Sequence, residues 1–134
     1  MLEKDCIQSR GFQNIEKDGE IVGFQFKIRS LYYRGVWLSQ LRPATVWVNG
    51  EEFGPDKITW TIRGETYTHE EMAQLGDVHW GLLDLATINV EKPGGLEPGV
   101  YEIKLTYTWS ASYLPPRIDT VFGSRPHVKK LVMV

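Results

Sequence analysis

Histidine and cysteine are the residue types best suited to metal binding or nucleophilic catalysis, and the chain has few of them. They are His69, His79, His127 and Cys6. No two of them lie at metal-ligand spacing on one predicted element, and a lone cysteine does not describe a zinc site. The sequence also has no Gly-x-Ser-x-Gly elbow and no glycine-rich phosphate loop between a strand and a helix. We therefore predict no metal ligand and no catalytic residue in this chain.

Asp77, His79 and Asp84 form the densest group of side chains capable of acid–base chemistry. A loop could gather them around a cation or use the His79 imidazole as a base. The same residue types also keep a short polar loop between strands solvated. The solvated loop is the interpretation that we favour.

The glutamates offer a second kind of chemistry, the paired carboxylates of a glycosidase, which meet in space rather than in sequence. Glu51, Glu52, Glu70, Glu71 and Glu102 are all available. Glu51 and Glu52 flank a predicted hairpin turn, Glu71 fits a helix cap, and Glu102 lies on the polar side of a predicted strand. We favour these structural roles. A small enzyme with a spatially assembled carboxylate pair remains an alternative.

Aromatic residues beside arginine and proline are a stronger functional signal than the histidine, cysteine and carboxylate candidates. The candidate contacts to a partner or substrate are Tyr32, Tyr33, Arg34, Trp37, Tyr113 and Arg117. They follow two predicted strands, one ending at Arg29 and one covering residues 100–109. Such loops form flat, partly apolar surfaces with hydrogen-bonding groups, suited to a sugar, an aromatic ring or a protein. The same rings could instead close the open end of a core, and the sequence leaves both interpretations open.

Strands with one polar face are predicted to position these residues. Apolar and polar residues alternate over residues 21–29, 57–62, 85–90 and 100–109, and a last strand is predicted at 128–134. The pairs at 18–19, 49–50 and 63–64 are typical of tight turns. Thr68 and Glu71 have the spacing of a capping box, which predicts one helix of about two turns. The pattern predicts an all-β fold, an antiparallel β-sandwich with one short helix, and an open barrel is the competing architecture.

Length and composition limit the domain organisation and the partners. A chain of 134 residues fits a single β-sandwich domain over residues 1–134. Fifteen lysines and arginines against seventeen aspartates and glutamates give a net charge of -2, which argues against nucleic acid or a membrane as partner. The single cysteine and the charged residues 1–5, with no long apolar run, lead us to expect a cytoplasmic location.

Several sequence blocks, taken in order, resemble the small β subunits of bacterial C-glycoside deglycosidases. They are residues 24–39 (FQFKIRSLYYRGVWLS), 46–51 (VWVNGE), 67–72 (YTHEEM), 92–96 (KPGGL) followed by the Pro-Gly at 98–99, and 112–115 (SYLP). No block is a catalytic signature by itself. The resemblance depends on their order and covers nearly the whole chain.

The resemblance implies a β-sandwich subunit of a heteromeric enzyme. In that family a larger α subunit, a TIM barrel, carries a divalent metal, usually manganese, and the acid–base residues. The complex cleaves the C–C bond between a 3-oxo sugar and an aromatic, flavonoid-like aglycone. This chain would then hold no cofactor of its own and would help to wall the active site, with the two aromatic loops as contact surfaces. A free-standing carbohydrate-binding sandwich is the alternative from another functional class.

Overall fold

The computed structural model describes residues 6–30, 36–81, 84–107 and 126–134. The eleven strands and one α-helix within these ranges are, in chain order, β1 Gln13–Lys17, β2 Glu20–Arg29, β3 Val36–Trp37, β4 Thr45–Val48, β5 Glu51–Phe53, β6 Ile58–Ile62, β7 Glu65–Tyr67, α1 His69–Met72, β8 His79–Trp80, β9 Leu85–Glu91, β10 Gly99–Thr106 and β11 His127–Met133. Short 3-10 turns cover Leu38–Gln40 and Pro55–Lys57. Within the described ranges, no helix has the length and apolar composition needed to cross a bilayer.

The strands form two main sheets and a short two-stranded ribbon. Among the described strands, five form one sheet in the order β1-β2-β9-β6-β7, and four form the other in the order β11-β10-β4-β5. The ribbon pairs β3 with β8. Each pairing between these described strands is antiparallel. The predicted antiparallel β-sandwich with one short helix is therefore confirmed.

The inward faces of the two sheets supply the core. Phe24, Phe26 and Ile28 of β2 are fully buried, as are Ile103 and Leu105 of β10. Aromatic contacts join the sheets. The ring of Phe24 lies 5.7 Å from that of Phe53 on β5, and the ring of Phe12 lies 6.2 Å from that of Tyr101 on β10. Burying one large apolar side chain contributes roughly 1.5–3 kcal/mol relative to leaving it exposed, so this layer dominates the stability of the fold.

The three predicted tight turns are confirmed by their backbone angles. The first residue of each pair has positive φ: 54° at Asp18, 48° at Asn49 and 50° at Arg63, and a glycine with φ between 82° and 90° follows each. Two consecutive positive φ values define the hairpin turn whose twist matches that of the flanking strands. These turns connect β1 to β2, β4 to β5 and β6 to β7.

The helix α1 begins at the predicted cap but is shorter than expected. The Thr68 hydroxyl accepts a hydrogen bond from the Glu71 amide, and the Glu71 carboxylate accepts one from the Thr68 amide. The helix ends at Met72, after one turn rather than about two. The amide of Leu75 donates to the carbonyl of Met72, so a tighter turn replaces the second helical turn.

Two asparagines hold the chain at one end of the sandwich, which we call the clamped end. Asn14 donates from Nδ2 to the carbonyl of Leu96 and accepts from its amide at Oδ1, both at 2.9 Å. Asn49 accepts from the amide of Glu102 at 2.8 Å, and its own amide donates to the Glu102 carbonyl at 3.0 Å. The loop before β10 and the turn after β4 are thereby tied to neighbouring strands.

Candidate functional site

The opposite end of the sandwich, which we call the aromatic end, collects strand ends and aromatic rings. It is defined by Trp37, Trp60, Trp80 and Tyr107, with His79 and His127 beside them. Strand β2 ends there, and the amide of Arg29 donates to the carbonyl of Cys6. The Cys6 Sγ in turn lies 3.9 Å from the hydroxyl of Tyr107, the residue after β10. Both sheets therefore contribute to this end.

The inner layer of the aromatic end is a buried group of three rings. Trp60 lies 5.6 Å from both Trp80 and Tyr107 in edge-to-face contacts, and Trp80 and Tyr107 lie 6.1 Å apart. The Trp80 indole N–H donates to the carbonyl of Asp84 at 2.8 Å, so its polar group is satisfied. Aromatic pairs of this kind contribute about 0.5–1.5 kcal/mol each beyond their buried area. These three buried rings therefore form a well-packed support for the outer layer of the aromatic end.

The outer layer is the ribbon of β3 and β8, which carries Trp37 at the surface. Val36 is opposite Trp80 and Trp37 is opposite His79 in this pairing. Because successive residues of a strand point to opposite faces, the register that buries Trp80 puts Trp37 and His79 together on the other face. The Trp37 side chain is 43% exposed, and its ring lies 4.9 Å from that of His79.

His79 is held by its backbone as well as by the ring contact. Its carbonyl accepts a hydrogen bond from the guanidinium of Arg63 at 2.8 Å. The Asp84 carboxylate accepts from the Gly81 amide at 3.2 Å, and Asp77 is exposed. These contacts favour the solvated-loop interpretation of the Asp77, His79 and Asp84 group, with Asp84 building the turn after β8. Among the residues that the structure describes, no group of three or more His, Cys, Asp or Glu side chains could hold a metal ion.

Two titratable groups at the aromatic end have shifted pKa values. Burial, together with the neighbouring Cys6, raises the pKa of Tyr107 well above its ordinary value of 10.0. Burial lowers the pKa of His127 from 6.5, and its buried Nε2 has no hydrogen-bond partner. The Tyr107 ring lies 5.8 Å from that of His127. Both shifts favour the neutral form, and the buried His127 Nε2 makes no hydrogen bond to Tyr107, so the geometry does not join the two groups as an acid–base pair.

The predicted contact residues divide between the described and the undescribed parts of the chain. Trp37 is described, and its exposed ring agrees with a surface role. Tyr32, Tyr33, Arg34, Tyr113 and Arg117 lie outside the described residues, and their roles stay predictions. Sequence reasoning missed His79 as the ring partner of Trp37. His79 was considered from the sequence only as a member of the polar loop with Asp77 and Asp84, and that was the one signal that pointed to this residue.

The glutamates considered for a carboxylate pair occupy separate places. Glu71 serves the cap of α1, as predicted. Glu51 and Glu52 are exposed on β5, and Glu102 is exposed on β10, with β4 between these two strands. The side chains of Glu51 and Glu52 therefore follow the hairpin turn, and that of Glu102 lies on the polar face of its strand, as the structural interpretation expects.

Comparison with known proteins identifies the family. A sequence model of the C-glycoside deglycosidase beta subunit matches residues 2–113. The chain belongs to this family. It is 48% identical over 119 residues to the C-glycoside deglycosidase beta subunit of Eubacterium cellulosolvens, covering 88% of this chain and 81% of that protein. It is 34% identical over 95 residues to the 3'-dehydrocarminate deglycosidase beta subunit of a Microbacterium species, covering 69% and 70% of the two chains.

Three of the blocks that carry the resemblance have structural roles in this chain. Residues 67–72 contain the capping box of α1, and residues 46–51 contain Asn49 with its turn. Residues 92–96 end in Leu96, which Asn14 clamps. Residues 24–39 differ, because this block ends beside the exposed Trp37. Trp47 of block 46–51 is less exposed, so Trp37 at the aromatic end is the most exposed large ring among the described residues of these blocks.

Proposed function

We propose that this chain is the non-catalytic β subunit of a cytoplasmic, heteromeric C-glycoside deglycosidase. The complex would cleave the C–C bond between a 3-oxo sugar and an aromatic, flavonoid-like aglycone. A TIM-barrel α subunit would carry a divalent metal, manganese by the family resemblance, and the acid–base residues. Family membership supports a place in a deglycosidase complex, and the name of the Microbacterium relative, a 3'-dehydrocarminate deglycosidase beta subunit, supports an oxidised sugar.

The chemistry of this reaction requires little of the β subunit itself. A ketone at the sugar 3-position acidifies the adjacent C–H, so a base can remove that proton. The electron pair of the C–C bond then leaves with the aglycone carbon, which takes up a proton. When bound, the metal would polarise the oxygen on which negative charge gathers. The contribution of this chain would be to close the cleft against water and to hold the aglycone.

The exposed Trp37 is the observation that supports docking through the aromatic end. Its backbone is fixed by the ribbon, because the amide of Leu38 donates to the carbonyl of Val78 at 2.9 Å and β3 pairs with β8. The buried Trp80 side chain of the ribbon packs inward on the buried rings of Trp60 and Tyr107. A rigid, half-exposed indole loses little conformational entropy when it is covered, which is why tryptophan is enriched among the residues that dominate binding energy at interfaces. We therefore assign Trp37 as a contact to the α subunit.

The alternative of a free-standing carbohydrate-binding module has less support from the described residues. A groove of about 340 Å³ lies on the outer face of the five-stranded sheet, and none of its described lining residues is aromatic. A smaller hollow of about 180 Å³ includes Trp47, but the Lys104 Nζ lies 4.8 Å from the centre of that ring. A sugar would have to displace this amine before it could stack on the indole.

Co-expression with a matching α subunit tests the proposal. We expect the two chains to co-purify, and turnover of a 3-oxo-C-glycoside to require both. Turnover by this chain alone would contradict the non-catalytic role. Sugar binding by the isolated chain, with no association with the α subunit, would favour the carbohydrate-binding module instead.

Replacing Trp37 tests the docking surface. Trp37→Ala should weaken association with the α subunit by about tenfold or more, since truncation of an interface anchor costs over about 1.4 kcal/mol. Ile21→Ala is a matched control, because Ile21 is 42% exposed on a different strand. Binding curves from titration calorimetry would measure both. Equal affinities for the two variants would remove Trp37 from the interface.

A further inference from the structure

The outer face of the four-stranded sheet carries exposed valines that the fold does not use. Val128 and Val132 of β11 are 56% and 57% exposed, Val100 of β10 is 63% exposed, and Val134 directly follows β11 at 100%. Val100 is directly opposite Val132 in the β10–β11 pairing. We call these four residues, with the outward side chains beside them, the valine face. Lys130 separates Val128 from Val132 on β11, so Val100, Val132 and Val134 are the neighbouring apolar residues of this face, and contiguous exposed apolar surface is typical of interaction sites.

The alternation of β11 shows that its outward valines are not part of the hydrophobic core. Leu131 and Met133 of the same strand are 2% and 3% exposed, so the strand already has an inward apolar side. Valine on the outward side contributes nothing to that core. The family match ends at residue 113, so it assigns no role to the valines of β11. The valine face therefore needs an explanation of its own.

The charges on the valine face are balanced. Lys130 is opposite Glu102, Lys104 is opposite Trp47, and Trp47 is opposite Glu52. Two acids and two bases thus alternate across the sheet among these exposed or half-exposed positions. A partner surface of one dominant sign would bring like charges together at two of the four positions, which is destabilising. A second copy of the same face matches it, because a two-fold rotation can bring Glu102 toward Lys130 of the other copy.

The valine face also combines raised and recessed surface. Trp47, Gly50, Glu102 and Lys104 line a hollow of about 180 Å³. Val100 precedes Glu102 by two residues and therefore lies on the same side of β10 as this hollow. An interface between two identical faces needs protruding and recessed surface on the same patch, because the protrusion of each copy fits the recess of the other.

We propose that the valine face is an isologous interface between two copies of this chain. The two-fold axis lies between β10 and β11, so that Val100 of each copy packs against Val132 of the other and Glu102 of each copy meets Lys130 of the other. The proposal does not depend on the α subunit, because the aromatic end and the valine face are different surfaces. A complex built through both would contain two copies of each subunit around one β–β contact.

Sedimentation velocity of the full chain, together with native mass spectrometry of the co-expressed complex, tests this interface. We expect a dimer of the free chain at micromolar concentration and an even number of β subunits in every complex. Val132→Lys should weaken the dimer by about tenfold or more, since it buries an unpaired charge in the contact. Ile21→Lys is the matched control, because it adds the same charge at a half-exposed apolar residue of the other sheet.

Each outcome decides the matter. Dimers that are lost in Val132→Lys and kept in Ile21→Lys support the interface. A monomeric wild-type chain that also enters the complex as a single copy would overturn it. Dimers that survive Val132→Lys would place self-association elsewhere, and loss of α-subunit binding in Val132→Lys without a change in self-association would assign the face to the α subunit. These results are separate from the test of Trp37, so either proposal can fail alone.

Discussion

The two ends of the sandwich are held by different interactions. At the clamped end, Asn14 and Asn49 each exchange two hydrogen bonds with the backbone of a distant residue. At the aromatic end, rings pack on rings around Tyr107, and Trp37 remains 43% exposed. The asparagine contacts satisfy polar groups within the chain, whereas the exposed ring leaves apolar surface for something outside it. The difference separates residues that build the fold from residues available for a partner.

The largest expected effect on stability is within the aromatic end. Trp80→Ala should lower the free energy of unfolding by about 3–5 kcal/mol, because it removes a fully buried ring and leaves a cavity. Trp37→Ala, on the facing strand of the same ribbon, should lower it by only about 0.5–1.5 kcal/mol, because the half-exposed ring gives up chiefly its contact with His79. Denaturation in guanidinium chloride would measure both. Comparable losses would mean that Trp37 supports the fold rather than a partner.

A smaller effect is expected at the clamped end. Asn14→Ala leaves the amide and carbonyl of Leu96 without their side-chain partner, which should cost about 1–3 kcal/mol of unfolding free energy. Asn14→Asp keeps an acceptor for the amide but loses the donor, so an intermediate loss is expected. Denaturation midpoints would order the three proteins. An Asn14→Ala protein that also lost affinity for the α subunit would break the proposed division between the two ends.

The smallest expected effect is a pH dependence at the aromatic end. The pKa of His127 is lowered in the folded chain, so the unfolded chain binds a proton at a higher pH than the folded one. Its contribution to stability is therefore complete above about pH 6.5 and is lost as the pH falls below that value. His127→Gln should make stability less dependent on pH between about 7.5 and 5.5. His69→Gln, at the start of α1, controls for the loss of one histidine, and equal pH dependence in the wild type and His127→Gln would contradict the assignment.

Local patterns predicted much of the fold because the physical cause was itself local. The turns at 18–19, 49–50 and 63–64 are confirmed, since glycine after Asp, Asn or Arg accommodates two positive φ values. The Thr68–Glu71 cap is confirmed for the same reason. The alternation over residues 100–109 predicts a strand, and β10 covers Gly99–Thr106 of that segment. The helix was overestimated, because Met72 and Leu75 alone do not specify a second turn.

Sequence patterns did not predict the contacts between segments that are distant in the chain. Cys6 and Tyr107 are separated by 101 residues, and nothing local indicates that they meet. The two-residue strands of the β3–β8 ribbon are too short to show a period, so the pairing of Trp37 with His79 was not predictable. In β11 the run of apolar residues did not reveal which valines face outward. Sequence therefore identified Trp37 as a candidate but not the ring beside it or the layer beneath it.

The close approach of Trp60 and Trp80 gives the chain an optical signature of its own. Two indoles 5.6 Å apart at an angle of 74° couple their electronic transitions, and such coupling produces a circular dichroism couplet that the peptide backbone does not. The couplet depends on the mutual orientation of two rings on separate strands. Its decay during heating or denaturation would therefore report when this end of the molecule opens, independently of the loss of strand structure.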